Sequence, residues 1–273
     1  MNLTCFRVHA FTQDPFGGNP ACVMPLTAWP SDDLLLRLAQ ENMVAETAYI
    51  VPTDGTNSKA DYHLRWFTPD IEMDLCGHAT LASAHAVLRH LTPDATEVRF
   101  SSASGLLTVR KCRDGRLEMD LPSRPPVPAD LPAPIAHALN HTPTEVLKSR
   151  DFVLVYPDQK TIDAIRIDRS AFDRINLGTG GVIVTAPGDA ADFVSRFFTP
   201  QATILEDPVT GSAHCSLVPY WHSRTGTTTF TAEQRSARRG QLHCTLAGDR
   251  VHVRGHALTF SQALLPASLT KTA

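Results

Sequence analysis

The sequence repeats one short phrase, and this repeat limits the possible folds more than any other feature. An aromatic-Phe-Thr-Pro phrase is present at residues 66–69 and again at 197–200. A glycine follows the first threonine by nine residues, at Gly77, and the second by twelve, at Gly211. In both copies the glycine opens a run typical of a helix, so each copy presents unpaired backbone N–H groups at a helix start. The repeat predicts two similar lobes, and two such helix starts facing one cleft would bind a carboxylate.

Length, charge and cysteine usage exclude several classes of protein. The chain has 273 residues and 42% hydrophobic content, enough for two domains that each bury a core. Its 25 basic and 28 acidic residues nearly balance, so we expect no nucleic-acid partner and no membrane partner. The six cysteines form no C-x-x-C pair, and no signal peptide or long apolar stretch is present. A cytoplasmic protein with reduced thiols is the resulting expectation.

The first half predicts strands around one central helix. Residues 3–11 alternate like a strand, and the Gly-Gly-Asn-Pro phrase at 17–20 leads into a second strand at 21–24. Ser31 is predicted to cap a helix, and 46–51 to form the strand after it. The buried stripe of that helix is Leu34, Leu35, Leu38 and Ala39. Further strands are expected at 62–67, 97–100, 106–110 and 117–121, with the first glycine helix at 78–88.

A proline-rich segment separates this half from the next. Six of the thirteen residues 122–134 are proline, a pattern of extended backbone without helix. We therefore place the first lobe at 1–122 and the second at 123–273, with a C-terminal tail that packs back on the first lobe. The second lobe is predicted to hold buried strands at 152–156 and 181–186, a helix capped by Asp189, the second glycine helix at 212–220, and late strands at 240–246 and 250–253. The fold class is α+β.

Glu46 and His78 are candidates for chemistry in the first lobe. Glu46 lies where a helix leads into an apolar strand. It is either a solvated or capping carboxylate, or a general acid or base whose pKa rises on burial. His78 follows Gly77 at the helix start, where the helix dipole disfavours an imidazolium and favours a neutral ring. The alternative for His78 is a helix cap.

Asp207 and Ser212 frame the second helix start. Asp207 precedes Pro208, which favours extended backbone and a side chain turned towards the helix end. Capping alone would explain both residues, but polar groups at two equivalent starts favour a site. We expect no metal, because the histidines form no zinc pattern, and no nucleotide, because phosphate-binding glycine motifs are absent from the sequence.

Four motifs together resemble the PhzF-like family, the phenazine-biosynthesis isomerases and their relatives. They lie at residues 16–23, 45–47, 75–80 and 206–213, and the resemblance runs through essentially the whole chain. It implies the diaminopimelate-epimerase-like fold, two pseudo-symmetric lobes that each wrap a β-sheet around a central helix, with the active-site cleft between them. It also implies a homodimer that works without metal or organic cofactor. One departure is Ala45, where family members often carry serine.

The same resemblance implies roles for individual residues. Glu46 would be the acid/base that moves a proton, His78 and Asp207 would orient and polarise the substrate, and Ser212 would be a hydrogen-bonding partner. The positions implied to contact the substrate are Gly18, Asn19, Cys76, Gly77, Thr210 and Gly211.

Three functions are compatible with these residues. The favoured one is an isomerase that moves a proton through Glu46 on a small carboxylated, amino-acid-like or cyclic metabolite. The second is an amino-acid racemase or epimerase that uses Cys76, which stands where epimerases of this fold hold one of two facing thiols. The second copy has Thr210 near the matching place, which argues against inversion by two opposed cysteines. The third is a non-catalytic protein that binds a carboxylate or acts as a dimeric partner.

Overall fold

The chain folds into two compact units. In the computed structural model, which describes residues 3–54, 59–266 and 268, the first unit comprises Met1–Asp120 and Arg254–Ala273, and the second comprises Leu121–Val253. Residue 122, the predicted boundary, lies in the strand at which the first unit gives way to the second. The C-terminal segment returns to the first unit as a strand paired with the first strand of the chain.

The first unit contains most of its strands before one central helix and the remainder after it. Its elements are β1 (Leu3–Ala10), β2 (Asn19–Pro25), α1 (Asp32–Asn42), β3 (Glu46–Pro52), β4 (Tyr62–Phe67), β5 (Glu72–Met73), α2 (Gly77–Ala86) continued by a π-helical turn (Val87–Leu91), β6 (Glu97–Ser102), β7 (Gly105–Lys111) and β8 (Leu117–Pro122). The last strand of the described residues, which we number β18 (Ala257–Leu265), completes this unit.

The second unit has the same kind of organisation. Its elements are β9 (Val127–Pro128), α3 (Ala133–Ala138), β10 (Glu145–Lys148), β11 (Phe152–Val155), α4 (Gln159–Ala164), α5 (Arg169–Phe172), β12 (Val182–Pro187), β13 (Phe193–Phe198), β14 (Glu206–Asp207), a 3-10 turn (Gly211–Ala213) that leads into α6 (His214–Thr225), β15 (Thr229–Gln234), β16 (Gly240–Ala247) and β17 (Arg250–Gly255). Strands dominate and helices are few, which confirms the α+β class.

Strand pairing shows that the two units repeat one topology. In the first unit β1–β2 is antiparallel, β2–β3 parallel, β3–β4 antiparallel, β4–β6 parallel and β6–β7 antiparallel. In the second unit the pairs β10–β11, β11–β12, β12–β13, β13–β15 and β15–β16 follow the same order of directions. The duplication inferred from the aromatic-Phe-Thr-Pro phrase therefore extends to the whole sheet of each unit.

Each unit wraps its sheet around a helix that is buried on nearly all sides. Nine of the ten residues of α2 are buried, and α2 packs against β1, β2, β3 and β18. In α6, all eight residues from His214 to Trp221 are buried, and the helix packs against β16. A helix surrounded by protein in this way needs no polar face. The position of its first turn is consequently fixed by strands on several sides.

A matched ion pair explains why the repeated phrase is followed by a glutamate in both copies. Arg65 donates to both carboxylate oxygens of Glu72 at 2.6 and 2.7 Å. Arg196 donates to both oxygens of Glu206 at 2.7 and 3.0 Å. The planar guanidinium suits such two-point contacts, which fix geometry as well as contribute energy. Both pairs join a long strand to the short strand that precedes the helix start.

Two further bonds recur at the same places and set the residue correspondence between the units. Ser104 donates its hydroxyl to the carbonyl of Asp74, and Ser236 donates to that of Pro208, both at 2.7 Å. At the helix starts, the side chains of Thr80 and His214 contact the carbonyls of Cys76 and Thr210 at 2.5 and 3.0 Å. These matches equate Cys76 with Thr210, and therefore His78 with Ser212.

The predicted first helix is confirmed in its cap and in its buried face. The Ser31 side chain accepts from the Leu34 N–H, and the buried residues of α1 are the four of the predicted stripe. The helix ends at Met43, whose left-handed conformation (φ 46°) lets its N–H bond the carbonyl of Ala39. Three residues later the chain enters β3 at Glu46.

Two predictions about helices are wrong. No helix follows Asp189, because the five residues 188–192 connect the antiparallel strands β12 and β13 as a short hairpin loop, too short for a helix with its caps. The proline-rich segment does contain the start of a helix, since α3 begins at Ala133 after Pro132 as its N-cap. Proline is tolerated there because the first N–H groups of a helix have no partner within it.

Two further features of the described residues concern membrane-spanning helices and disulfide bonds. Among the described residues, no helix combines the length and apolarity needed to cross a bilayer. All six cysteines, each in the described part of the chain, are free thiols.

The packing of α1 gives a test of the first core. Leu35 is fully buried in a cluster with Met24 and Tyr49, whereas the next residue, Leu36, is only partly buried against the same cluster. Leu35→Ala should lower the free energy of unfolding by about 2–5 kcal/mol, through lost burial and the cavity left behind. Denaturant unfolding measures the loss. Leu36→Ala is the matched control, and equal losses for the two variants would contradict the assigned helix face.

Candidate active site

Glu46 is the first residue of β3, and the elements on either side of it fix its position. The end of α1 at Met43 turns the chain, and the buried residues Val44 and Ala45 carry it into the sheet. There Glu46 pairs with Ala21 of the parallel strand β2. Its side chain is 12% exposed. The alternative of a solvated carboxylate at this turn therefore does not hold.

His78 faces this carboxylate from the first turn of α2. Its ring is 2% exposed, and its Nε2 lies 3.1 Å from Oε2 of Glu46. The two atoms are close enough for an ion pair but are not aligned as a hydrogen bond, and neither atom has a hydrogen-bond partner among the described residues. Because the ring contacts a side chain of another element, the interpretation of His78 as a helix cap is not supported.

Cys76 contacts the His78 ring on the side opposite Glu46. Its sulfur lies 3.5 Å from Nδ1 of His78, so the imidazole stands between a thiol and a carboxylate. Burial, with a smaller contribution from Glu46, raises the pKa of the Cys76 thiol to about 11. The thiol is therefore protonated at neutral pH, and its nucleophilicity is low.

The charge on His78 differs from the sequence expectation. Burial lowers the pKa of His78, but the neighbouring Cys76 sulfur and Glu46 carboxylate outweigh it, and the pKa lies well above its ordinary value. Since the Cys76 thiol is uncharged at neutral pH, the Glu46 carboxylate is the partner that holds the proton on the ring. The direction of this shift favours a protonated ring, against the neutral imidazole expected from the helix dipole.

Asp207 and Thr210 lie together at the second helix start. Asp207 ends β14, paired with Phe197 of β13, and its Oδ2 accepts the hydroxyl of Thr210 at 2.5 Å. The backbone N–H of Thr210 donates to Oε1 of Gln234 at 2.7 Å. Gln234 is fully buried at the end of β15. It was missed by the sequence analysis, since nothing in an alternating strand marks its last residue.

Ser212 is bonded by a second group that the sequence analysis missed. Nη2 of Arg150 donates to Oγ of Ser212 at 3.2 Å and contacts Oδ2 of Asp151 at 2.9 Å. Asp151 is 2% exposed and also accepts the N–H of Gly181 at 2.9 Å. Two consecutive charged residues directly before the apolar run of β11 were the available signal, because a buried charge requires a partner.

The predicted glycine and asparagine positions lie at turns and at the starts of secondary-structure elements. Gly18 has a φ of 65°, and a Cβ there would collide with the carbonyl of Ala10. Asn19 is fully buried and begins β2 opposite Ala10. Gly77 begins α2 and Gly211 begins the 3-10 turn, and both are buried.

The structure thus brings eight of the ten predicted residues into two groups, one in each unit, and leaves Gly18 and Asn19 outside both. Glu46, Cys76, His78 and Gly77 form the first, and Asp207, Thr210, Gly211 and Ser212 form the second. That both groups line one cleft, and that these residues contact a substrate, stay predictions.

The first group has a composition that zinc accepts. The ligand atoms of Glu46, Cys76 and His78 all lie within 4.8 Å of one another, a set that can hold a metal ion. The sulfur contacts Nδ1 and the carboxylate contacts Nε2, so the ring lies between the other two ligands. The expectation of a metal-free site stays a prediction.

Comparison with known proteins places this geometry in a family. The family model described as phenazine biosynthesis-like protein, PhzC-PhzF, matches residues 8–263. An uncharacterized isomerase of Pseudomonas aeruginosa is 47% identical over 97% of this chain and 99% of its own length. The crystal structure of a PhzF-family phenazine biosynthesis protein from Enterococcus faecalis has a TM-score of 0.87 and 39% identity, covering 97% of this chain and 100% of that one.

A more distant structure confirms the fold. A hydroxyproline epimerase from Agrobacterium vitis has a TM-score of 0.63 at 13% identity, covering 97% of this chain and 92% of that one. At this identity the likeness concerns the fold alone, which is the predicted diaminopimelate-epimerase-like architecture. The family match over nearly the whole chain and the identity to curated isomerases agree with the motifs that carry Glu46, His78, Asp207 and Ser212. The chain belongs to the PhzC-PhzF family of phenazine biosynthesis-like proteins.

Proposed function

We propose that this protein is an isomerase that moves a proton between two carbons of a small carboxylated, amino-acid-like substrate, with Glu46 as the group that carries the proton. The observation that supports it is the buried pair of Glu46 and His78, whose Oε2 and Nε2 atoms lie 3.1 Å apart. Proton abstraction next to a carbonyl or double bond needs a base shielded from water. Two curated relatives are named as uncharacterized isomerases, which agrees with this reaction class.

The proposed step uses only one carboxylate. Glu46 as a carboxylate removes a proton from one carbon of the substrate, and the released electron pair forms a new double bond to the neighbouring carbon. The electrons of the old double bond then take up a proton from the Glu46 carboxyl group at the far carbon. The carboxyl proton exchanges with solvent between the two steps, so the substrate gains deuterium in deuterium oxide. His78, whose Nε2 lies 3.1 Å from the Glu46 carboxylate, would as imidazolium compensate the negative charge that develops on the substrate. Proton transfer by such a positioned group contributes roughly 10²- to 10⁴-fold in rate.

The second copy supports a single proton carrier. Phe67 and Phe198 are the same residue of the repeated phrase, and they pair with Thr47 and Val182, respectively. The residue before Thr47 is Glu46 and the residue before Val182 is Gly181, so Gly181 occupies the place that corresponds to Glu46. A Cβ at Gly181 would collide with the ring of Phe197. A second carboxylate therefore has no room at the matching position, and the two units cannot share the work as two equivalent bases.

The thiol mechanism has less support. The position that corresponds to Cys76 in the second unit is Thr210, which offers no second thiol. The Cys76 pKa of about 11, raised by burial, keeps the first thiol protonated. A racemase that works through two opposed cysteines is therefore the less favoured function.

The remaining assignments belong to the same proposal. Asp207 and Ser212 would orient the substrate, and the backbone N–H groups at Gly77 and Gly211 would bind its carboxylate. We further propose a homodimer in the cytoplasm that requires no metal or organic cofactor.

Deuterium uptake from solvent tests the role of Glu46. A panel of small unsaturated and amino carboxylic acids is incubated with the protein in deuterium oxide, and mass spectrometry identifies the acid that gains deuterium. Glu46→Gln should lower that exchange by about 10²- to 10⁴-fold while the variant still folds and binds the acid. Glu41→Gln, at an exposed position of α1, is the matched control and should exchange like the unmodified protein. Full exchange by Glu46→Gln, or tight binding of an acid without exchange, would exclude the proposal.

The raised pKa of His78 predicts a pH-dependent contribution to stability. A group whose pKa is higher in the folded state stabilises that state fully below its unfolded pKa, near 6.5, and loses the contribution as pH rises through the folded pKa. The difference in unfolding free energy between the unmodified protein and His78→Gln should therefore shrink as pH rises above about 6.5, towards the raised pKa of the folded state. His63→Gln, at an exposed position, should show no such trend. A difference that grows with pH would indicate a neutral ring.

Replacement of the thiol separates the two chemistries. Cys76→Ser should keep most of the deuterium exchange, because the proposed proton carrier is Glu46 and a hydroxyl can still contact Nδ1 of His78. A thiol-dependent racemase would lose all of it. Cys112→Ser, which changes a partly exposed thiol elsewhere, is the control.

A further inference from the structure

Comparison of the two units distinguishes hydrogen bonds and ion pairs that both units share from those that only one unit has. The Arg–Glu pairs, the serine bonds to the loop carbonyls and the bonds to the carbonyl before each helix start are present in both units. The contacts of Gln234 are different. Tyr62 and Phe193 each lie four residues before the repeated phrase, and they pair with Phe100 and Ala232, respectively. Two residues further along these partner strands are Ser102 and Gln234, so Ser102 is the position that corresponds to Gln234. Ser102 bonds the carbonyl of Gly105 within its own turn.

The orientation of the Gln234 amide is fixed by its neighbours. The backbone N–H of Thr210 can only donate, so the atom 2.7 Å from it must be the amide oxygen of Gln234. The amide nitrogen then donates to the carbonyl of Asp207 at 2.7 Å and to the Thr210 hydroxyl oxygen at 3.2 Å. A flipped amide would place two acceptors against each other at the Asp207 carbonyl and two donors against each other at the Thr210 N–H.

This orientation determines where the Thr210 proton goes. A hydroxyl has one proton to donate, and the Thr210 oxygen already receives a donor from Gln234. Its own proton therefore points to Oδ2 of Asp207, 2.5 Å away. The hydrogen bonds run in one direction, from the amide through the hydroxyl to the carboxylate. A donor directed at Oδ2 favours the ionised form of Asp207.

We infer that Gln234 is a positioning residue that acts through the Thr210 hydroxyl to hold the Asp207 carboxylate in one orientation as a hydrogen-bond acceptor. That this carboxylate then orients a substrate rests on the function proposed above. The arrangement is stiff because Gln234 and Thr210 are 0% and 6% exposed, and because Gln234 bonds both ends of the segment 207–210. Water has little access with which to replace either bond.

Two charged groups on the adjoining elements are engaged in pairs of their own. Glu206, beside Asp207 on β14, is paired with Arg196 of β13. Arg235, which follows Gln234 after β15, is paired with Asp163 and Glu233. The hydroxyl of Thr210 links Gln234 to the carboxylate of Asp207.

Titration of Asp207 by ¹³C NMR tests the inference without any substrate. The protein is labelled at the aspartate carboxyl carbon, and the Asp207 signal is identified by its loss in Asp207→Asn. Thr210→Val keeps the shape and the backbone N–H of residue 210 but removes the hydroxyl, so the apparent pKa of Asp207 should rise. Gln234→Glu should also raise it, because the new carboxylate takes the hydroxyl proton. The double variant should raise the pKa by less than the sum of the two, since both changes break one chain of bonds.

The control is Gln241→Glu, which adds the same charge at an exposed position of the neighbouring strand β16 and should leave Asp207 unchanged. An unchanged Asp207 titration in Thr210→Val, or strictly additive effects, would overturn the inference. If Gln234→Glu fails to fold, the isosteric Thr210→Val still decides the question.

Turnover separates this inference from the proposed function. With the acid selected by deuterium uptake, Thr210→Val should lower exchange by about 10- to 100-fold, as expected for a misplaced orienting group. If Glu46→Gln keeps full exchange while Thr210→Val still shifts the Asp207 titration, the proton-carrier role fails and the positioning role stands. The reverse pattern, with Glu46→Gln inactive and Asp207 unmoved by Thr210→Val, removes the positioning role alone.

Discussion

An ion pair in the first turn of a buried helix is the interaction on which the site depends. The sheet of the first unit covers α2 on nearly all sides, so His78 has little access to water. A lone charge in such surroundings is costly, whereas a carboxylate 3.1 Å away compensates it. The turn from α1 into β3 brings Glu46 to that place. Fold and chemistry are therefore linked, because the strands that bury the helix also deliver the carboxylate.

The two units show which features a duplicated scaffold keeps and which it changes. Both retain the strand order, the Arg–Glu pair and the bonds around the helix start. The first unit carries a titratable pair, Glu46 and His78. The second has Gly181 and Ser212 at the matching positions, with Arg150 bonded to the serine. In the proposed reaction, the first unit would carry the mobile proton and the second would supply hydrogen bonds of fixed direction.

Local patterns were sufficient to predict the frame of this molecule. The cap at Ser31, the buried stripe of α1 and the two glycine helix starts follow from residues a few positions apart, and the structure confirms them. The charge state of His78 and the role of Gln234 could not be predicted, since they depend on contacts across 32 and 24 positions of sequence. The supposed Asp189 helix failed for a related reason: strand pairing overrode a local capping signal.

The order of the strands also sets the order in which the chain can be assembled on the ribosome. The second unit is continuous, whereas the first needs β18, which is synthesised after the whole of the second. Before that strand emerges, β1 lacks one of its neighbours and α2 lacks part of its cover. Until β18 is synthesised, the first unit therefore cannot complete its sheet, and the apolar helix α2 stays partly uncovered.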